Sequence, residues 1–388
     1  MQYRAYGKTS IQVSLLGYGA MRLPTLADGT VDLEESVPLL RYAIDHGVNY
    51  IDSAHVYING TSEVAVGQAI KGYDRSHLSL ATKIHVDEEE AARAEVWQSK
   101  LEKSLKRLDT PYIDFLHVHG LRWEAYQYAS RPGWALDVAR KAQARGLVRH
   151  IVFSSHDTAE NIMKLIDTGE FAGMLVQYNY LDRHNEAAIA YAAEKGMGVA
   201  IMGPVAGGRL AIPGGVVVDS EGALELKTPE LALRFVWNNP HVSTALSGMS
   251  SMQQVVDNLA LAGRVEKLDE GESRAIEALF IRNQKLADLY CTGCAYCMPC
   301  PNDINIPENF RYMNWYRVWG MEEQAREAYA KLSAQGTWTP WGGMVKGLKA
   351  EECQECGECE PKCPQNIPIR DQLKEAARIL GKDTHPRP

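Results

Sequence analysis

The chain has 388 residues, 45% of them hydrophobic, and a formal net charge of −8. That length admits one large domain with a smaller companion, and the composition supplies a full apolar core. The acidic balance argues against a nucleic-acid partner, whose phosphates call for clustered Lys and Arg. No run of about 18 apolar residues is present, so no membrane span is expected. Met1-Gln2-Tyr3-Arg4 lacks the basic-then-apolar pattern of a secretory signal, and a cytoplasmic protein is the expectation.

In chain order, Tyr3-Arg4-Ala5 and Ile11–Ser14 flank Gly7-Lys8, which reads as a small hairpin turn. Short apolar runs follow at 15–21, 49–54, 78–84, 113–119, 150–155, 174–178, 198–203 and 242–248. Between them lie stretches of helical periodicity, among them 33–46, 92–108, 135–145 and 185–195. Gly47, Gly146, Gly169 and Gly196 stand where helices end. Strict strand–helix alternation predicts right-handed crossovers and a parallel sheet, and eight units close a barrel. The strands are apolar on both faces, as a sheet covered on both sides requires. The expected fold class is α/β, a (β/α)8 TIM barrel. Residues 205–227 are Gly-rich and read as a loop at its mouth, and 268–289 read as a polar helix.

All 8 cysteines lie between Cys291 and Cys363. Two local groups in a cytosolic chain read as metal ligands. One run is Cys291-x2-Cys294-x2-Cys297-x2-Cys300-Pro301; the other is Cys353-x2-Cys356-x2-Cys359-x3-Cys363-Pro364. Three closely spaced thiolates grip three corners of a [4Fe–4S] cubane, and the Cys before Pro commonly ligates the other cluster. That rule predicts Cys291, Cys294, Cys297 and Cys363 around one cluster, and Cys353, Cys356, Cys359 and Cys300 around a second. Zinc bound by four thiolates is the competing reading. Each run leads into an Asn/Ile/Pro segment and then a helical stretch, 308–316 and 370–380. This region resembles the α-helical ferredoxin-type dicluster domains. The expected layout is a barrel over 1–267, a linker helix over 268–290 and a mainly α-helical iron–sulfur domain over 291–388.

In a (β/α)8 barrel the reactive side chains stand where strands end. Asp52 with Tyr57 follows the second apolar run, Lys83 the third, and His117-Val118-His119 the fourth. This spacing resembles the catalytic tetrad of the aldo-keto reductases, as do Gly17-Tyr18-Gly19-Ala20-Met21-Arg22, Ser154-Ser155 and Gln177. The resemblance covers residues 3–262 and selects His119 over His117. It implies reduction of a carbonyl, or oxidation of an alcohol, with Tyr57 as proton donor. A phenol titrates near pH 10, and a neighbouring ammonium such as Lys83 favours its ionised form. Asp52 would hold Lys83, and His119 would place the carbonyl oxygen.

The resemblance also implies a nicotinamide cofactor. Gly19, Met21, Ser154, Ser155, Gln177 and Met202 would surround its reactive end. Gly248, Ser250, Ser251, Gln254 and Asn258 would face its adenosine end, where a helix start can meet an anion. NADP-preferring relatives carry cations at places held here by Gly248 and Gln254, so NADH is favoured over NADPH. The partners expected are a small carbonyl or alcohol and, if the clusters exchange electrons, a redox protein. Three functions follow: a carbonyl reductase with a structural or sensing iron–sulfur tail, an electron-transfer oxidoreductase, and a nicotinamide-sensing regulatory subunit.

Overall fold

The computed structural model describes residues 1–86, 88–210, 216–217, 226–283, 291, 293–319, 321–339 and 343–381. The chain divides into two compact units. One comprises Met1–Pro204 and Leu233–Leu268; the other comprises Val205–Ala232 and Asp269–Pro388. Residues 205–210 of the segment read from sequence as a loop at the barrel mouth group with the second unit, and 211–215 and 218–225 lie outside the described residues.

In the first unit, β1 (Tyr3–Ala5) and β2 (Gln12–Ser14) form an antiparallel hairpin. Then come β3 (Leu16–Gly19), β4 (Tyr50–Asp52), β5 (Ser79–His85), β6 (Ile113–His119), β7 (Val148–Ser154), β8 (Gly173–Gln177) and β9 (Gly198–Met202). The chain continues through the short ribbon β10 (Val216–Val217) and β11 (Leu226–Lys227), which the sequence reading missed, to β12 (Thr244–Ser247). Strands β3 to β9 with β12 close an eight-stranded barrel in which neighbours run parallel. The expected α/β barrel is therefore the fold.

Helices α1 (Leu33–Asp45), α2 (Ser62–Ala69), α3 (Ala94–Leu108), α4 (Trp123–Ala129), α5 (Ala135–Ala144), α6 (Ala159–Asp167), α7 (Glu186–Glu194), α8 (Thr228–Asn238) and α9 (Met252–Gly263) make the crossovers. Asp32 caps α1, accepting from the Glu34 and Glu35 N–H groups at 3.0 and 3.2 Å. The four helix-ending glycines all have positive φ. The hairpin closes the barrel floor. The ring of Tyr6 is fully buried, and a Cβ on Gly198 would lie 2.1 Å from it, so only glycine fits there. Tyr6, Tyr50, Phe115, Val152 and Leu246 belong to one buried cluster.

In the second unit, α10 (Glu270–Asn283), α11 (Ile306–Trp319), α12 (Glu322–Ala330) and α13 (Ile369–Leu380) accompany the ribbon β13 (Thr337–Thr339) and β14 (Gly343–Val345). Helix α10 covers the described part of the expected linker helix, and residues 284–290 lie outside the described residues. Helices α11 and α13 are each longer than the stretches predicted after the two cysteine runs, and α12 between them was not foreseen. Its polar sequence carries one buried pair, Ala325 and Tyr329, at the spacing of one helical turn. These pack with Ile304, Phe310, Met313, Ile367, Leu373 and Leu380 in a single core.

Candidate active site and cysteine sets

The strand ends bring four predicted residues together. Register sets Asp52 of β4 beside Ala81 of β5, and Lys83 of β5 beside His117 of β6. Lys83 is 1% exposed and donates to Asp52 Oδ1 and, at 2.7 Å, to the Ser53 carbonyl. Its ammonium stands 4.5 Å from the centroid of the Tyr57 ring. The His119 ring meets Tyr57 edge-on, with centroids 6.0 Å apart and planes at 85°. His117 stands apart from Tyr57: its Nε2 lies 4.0 Å from Asp52 Oδ2 and 3.4 Å from the Tyr50 hydroxyl. The two histidines, two residues apart on one strand face, thus have different neighbours.

Burial pushes the Lys83 ammonium down and the Asp52 carboxyl up, and their contact opposes both shifts. Burial is the larger effect on each, and the contact between them offsets part of it. Burial pushes the His119 imidazole well down, and the nearby His85, Lys83, His117 and His156 push it further, so the ring is neutral near pH 7.

The loop that presents Tyr57 is fixed from several sides. Ile58 and Asn59 adopt left-handed backbone at φ 49° and 54°. For a β-branched residue this stores roughly 1–3 kcal/mol of strain. Arg107 of α3 opposes it by donating to the His55 carbonyl at 2.9 Å and pairing with the buried Glu63 at 3.4 Å. Its guanidinium would lie 2.5 Å from any Cβ on Gly60, whose φ is +77°, so this turn accepts no side chain. Ser62 donates to the Ala20 carbonyl at 2.7 Å, tying the loop to the end of β3.

The cofactor candidates divide. Gln177 and Ser154 are buried at strand ends; Gln177 donates to Asp182 at 2.9 Å, and Ser154 Oγ accepts from the Gly120 N–H at 3.1 Å. Ser154 retains its own proton to donate, and the Gln177 amide oxygen lies beside Gly203, where a Cβ would come within 3.3 Å of it. These groups fit a carboxamide. Ser155 is committed elsewhere: it donates to the Leu121 carbonyl at 2.7 Å and accepts from the Asp157 N–H at 3.1 Å. Gly19 ends β3, Met21 lies in the 3-10 turn after it, and Met202 ends β9, half-buried.

At the start of α9, Ser251 Oγ caps the Gln254 N–H at 3.4 Å. Gln254 folds back, its Oε1 accepting from the Ser250 N–H at 2.8 Å. Asn258 donates to Ser247 Oγ at 3.0 Å. Gly248 lies against the stem of Arg22, whose carbons would stand 3.1–3.3 Å from a Cβ placed there. Arg22, in the 3-10 turn after β3, comes beside this segment because β3 pairs with β12 when the barrel closes.

In the second unit, Cys291, Cys294, Cys297 and Cys363 line one cavity together with Ile306, Phe310 and Ile367. Burial pushes the Cys291 thiol up to about 11 and raises Cys297 further, and neighbouring thiols of the set add to both. Cys359 is raised by burial and by Cys353 and Cys300 close by. Cys356 is exposed. Among the described residues, no three His, Cys, Asp or Glu side chains are arranged to hold a single metal ion. The donor set is four thiols around an apolar space, which suits a cubane whose irons supply the missing positive charge.

The family model described as the Aldo/keto reductase family matches residues 15–212, about half the chain. The chain belongs to the aldo/keto reductase family. The model of a 4Fe-4S dicluster domain matches residues 290–368 of this aldo/keto reductase. It is 27% identical over 304 residues to L-galactose dehydrogenase of Arabidopsis thaliana, spanning 72% of this chain and 94% of that protein. It is 25% identical over 342 residues to a probable voltage-gated potassium channel subunit beta of Oryza sativa subsp. japonica, spanning 75% and 100%. Among solved structures, an aldo/keto reductase from Klebsiella pneumoniae in complex with NADP and acetate matches with a TM-score of 0.58 at 25% identity, covering 69% of this chain and 92% of that one. No helix among the described residues is long and apolar enough to cross a membrane.

Proposed function

We propose that this aldo/keto reductase interconverts a small carbonyl compound and its alcohol, with Tyr57 as the general acid and base. The observation that carries the reading is the buried Lys83 ammonium, paired with Asp52 and set 4.5 Å from the Tyr57 ring centroid. A bound nicotinamide would supply the hydride. Tyr57 gives its proton to the carbonyl oxygen, and the Lys83 charge stabilises the phenolate left behind. Asp52 keeps Lys83 charged and oriented. His119, neutral, offers a ring N–H to the same oxygen and fixes its position. In the reverse direction Tyr57 accepts the alcohol proton.

Ser154 and Gln177 would hold the nicotinamide carboxamide. The side chain of Arg22 beside Gly248 brings a cation towards this end of the site, and the Klebsiella relative is described with NADP. NADPH is the proposed donor, with Arg22 meeting its phosphate. Two [4Fe–4S] clusters would occupy the two cysteine sets and, when bound, carry single electrons. The electron-transfer reading has one observation in its favour: Cys356 is exposed, which leaves an edge of the second set open to an outside carrier.

Tyr57→Phe tests the proposal. The variant should lose carbonyl reduction by a factor of about 10² or more while NADPH binding, followed by fluorescence, stays within twofold or so of wild type. Wild-type turnover in that variant would remove Tyr57 from the reaction.

A further inference from the structure

We propose that Asp182, held by His184, is a positioning residue for the cofactor: it fixes the Gln177 amide with its oxygen towards the nicotinamide, so that the site selects nucleotides whose ring substituent carries an N–H donor. The inference rests on the reading that Ser154 and Gln177 hold the carboxamide. Gln177 is buried at the end of β8. The chain beyond it turns back on itself. Asn179 and Asp182 exchange both backbone hydrogen bonds, at 3.1 and 3.0 Å. The Asn179 side chain accepts from the Leu181 and Asp182 N–H groups at 3.0 and 3.1 Å and donates to the Gly203 carbonyl at 2.9 Å, just past β9. Asn185 closes the turn by donating to the Gln177 carbonyl at 3.0 Å. The turn therefore returns the Asp182 carboxylate to the side chain five residues before it. Gln177 Nε2 donates to Asp182 Oδ2 at 2.9 Å, and His184 Nδ1 meets Oδ1.

A glutamine amide has a donating and an accepting end of nearly the same shape, and unless something holds it either end can face a ligand. A carboxylate only accepts. Asp182 therefore takes the Gln177 NH2 group and leaves the amide oxygen for the other side. The same rule makes His184 Nδ1 a donor, and the contact raises its imidazole above the ordinary value of 6.5. Two donors thus occupy the two oxygens of one carboxylate, which anchors it. The freed Gln177 oxygen lies beside Gly203, at φ +64°, which puts no side chain over it. Among the described residues no group donates to that oxygen. Ser154 has the opposite polarity, because its oxygen already accepts from the Gly120 N–H and its proton remains to be given. One donor and one acceptor, each of fixed sense, complement a carboxamide in one orientation: its oxygen on Ser154 and its NH2 on Gln177. A methyl ketone in place of the carboxamide keeps the first bond and leaves the Gln177 oxygen without a donor, which is how a polar site discriminates.

The test measures the Kd of NADPH and of its 3-acetylpyridine analogue for the full-length protein, by fluorescence titration without any carbonyl present. Wild type should bind NADPH about tenfold more tightly than the analogue. Asp182→Asn keeps the shape but can donate as well as accept, so the Gln177 amide is free to turn over. Its preference should fall to about threefold or less, chiefly through weaker NADPH binding. Asp182→Glu, which still only accepts, should restore much of the preference, and His184→Leu should lose part of it. Because the readout is a ratio of two ligands on one protein, a general loss of folded protein leaves it unmoved. A wild-type ratio in Asp182→Asn, or an equal weakening of both nucleotides, overturns the positioning role, and a wild-type ratio in His184→Leu removes His184 from it. Gln177→Leu separates this failure from that of the underlying reading. A preference lost in Gln177→Leu but kept in Asp182→Asn defeats the positioning role alone, whereas one that survives Gln177→Leu means that Gln177 does not meet the carboxamide and defeats both.

Discussion

The two units bury charge-bearing groups in opposite ways. In the barrel, Lys83 and Asp52 are buried together and each offsets the other's charge. In the cysteine unit, Cys291 and Cys297 are buried among further thiols, and every neighbour of the set raises rather than relieves the cost of ionising them. In the barrel pair the opposite charge comes from a neighbouring side chain. Arg209 and the Gly293 N–H relieve part of that cost at Cys291, and a bound iron–sulfur cluster would offset the rest. A site built from compensating residues can form on folding alone, whereas one built from like groups couples its folding to what it binds.

The sharpest way to break that comparison is to remove one partner of the barrel pair. Lys83→Met should leave the Asp52 carboxyl buried without its cation, at a cost of about 3–5 kcal/mol. It should also lower kcat by roughly 10²–10⁴. Denaturant unfolding and steady-state kinetics measure the two, and a variant unaffected in both would show the barrel site is not self-contained.

Within the cysteine unit, Cys297→Ser and Cys356→Ser should each cut the iron bound per chain by about half, because each removes a ligand from a different set. Cys297 is buried in the unit's core and Cys356 is exposed, so the first variant should lose more thermal stability. Equal stability losses would mean that the enclosed and open sets do not differ in structural weight. Arg22→Ala is a smaller change. It should raise KM for NADPH about tenfold and leave KM for NADH within a few-fold. A uniform shift for both nucleotides would place Arg22 away from the phosphate that distinguishes them.

Acid stability separates the buried barrel histidines from the rest. Burial holds His117 and His119 well below the ordinary value of 6.5. Both are neutral when folded and take up protons when unfolded as the pH falls through that value. Their contribution is complete above pH 6.5 and is lost below it, by up to about 1.4 kcal/mol per pH unit for each. Thermal unfolding at about pH 7.5 and about pH 5.5 should show the decline, and His117→Gln should flatten it.

How far these features could be read in advance follows from their range along the chain. The tetrad was legible because Asp52, Tyr57, Lys83 and His119 stand at strand ends whose order and alternation are local properties. The pairing of Cys363 with the first cysteine run was legible because the Cys-Pro rule is a chemical regularity. The stacking of His85 on His119 was not legible, since it depends on register between β5 and β6. Arg22 escaped because it meets Gly248 only across the seam where β3 pairs with β12. The local partners of Ser155 and Ser251 were not legible, because whether a hydroxyl meets its own backbone is decided by turn geometry that residue types do not encode.

The central claim is that hydride chemistry belongs to the barrel and needs no electron from the cysteine unit. Its most direct test is anaerobic mixing of iron-loaded protein with NADPH, following the nicotinamide and cluster absorption bands together before and after a carbonyl compound is added. The account predicts that the cluster band stays unchanged and that NADPH is consumed only once the carbonyl is present. Bleaching of the cluster band in step with NADPH oxidation, with no carbonyl added, would contradict it.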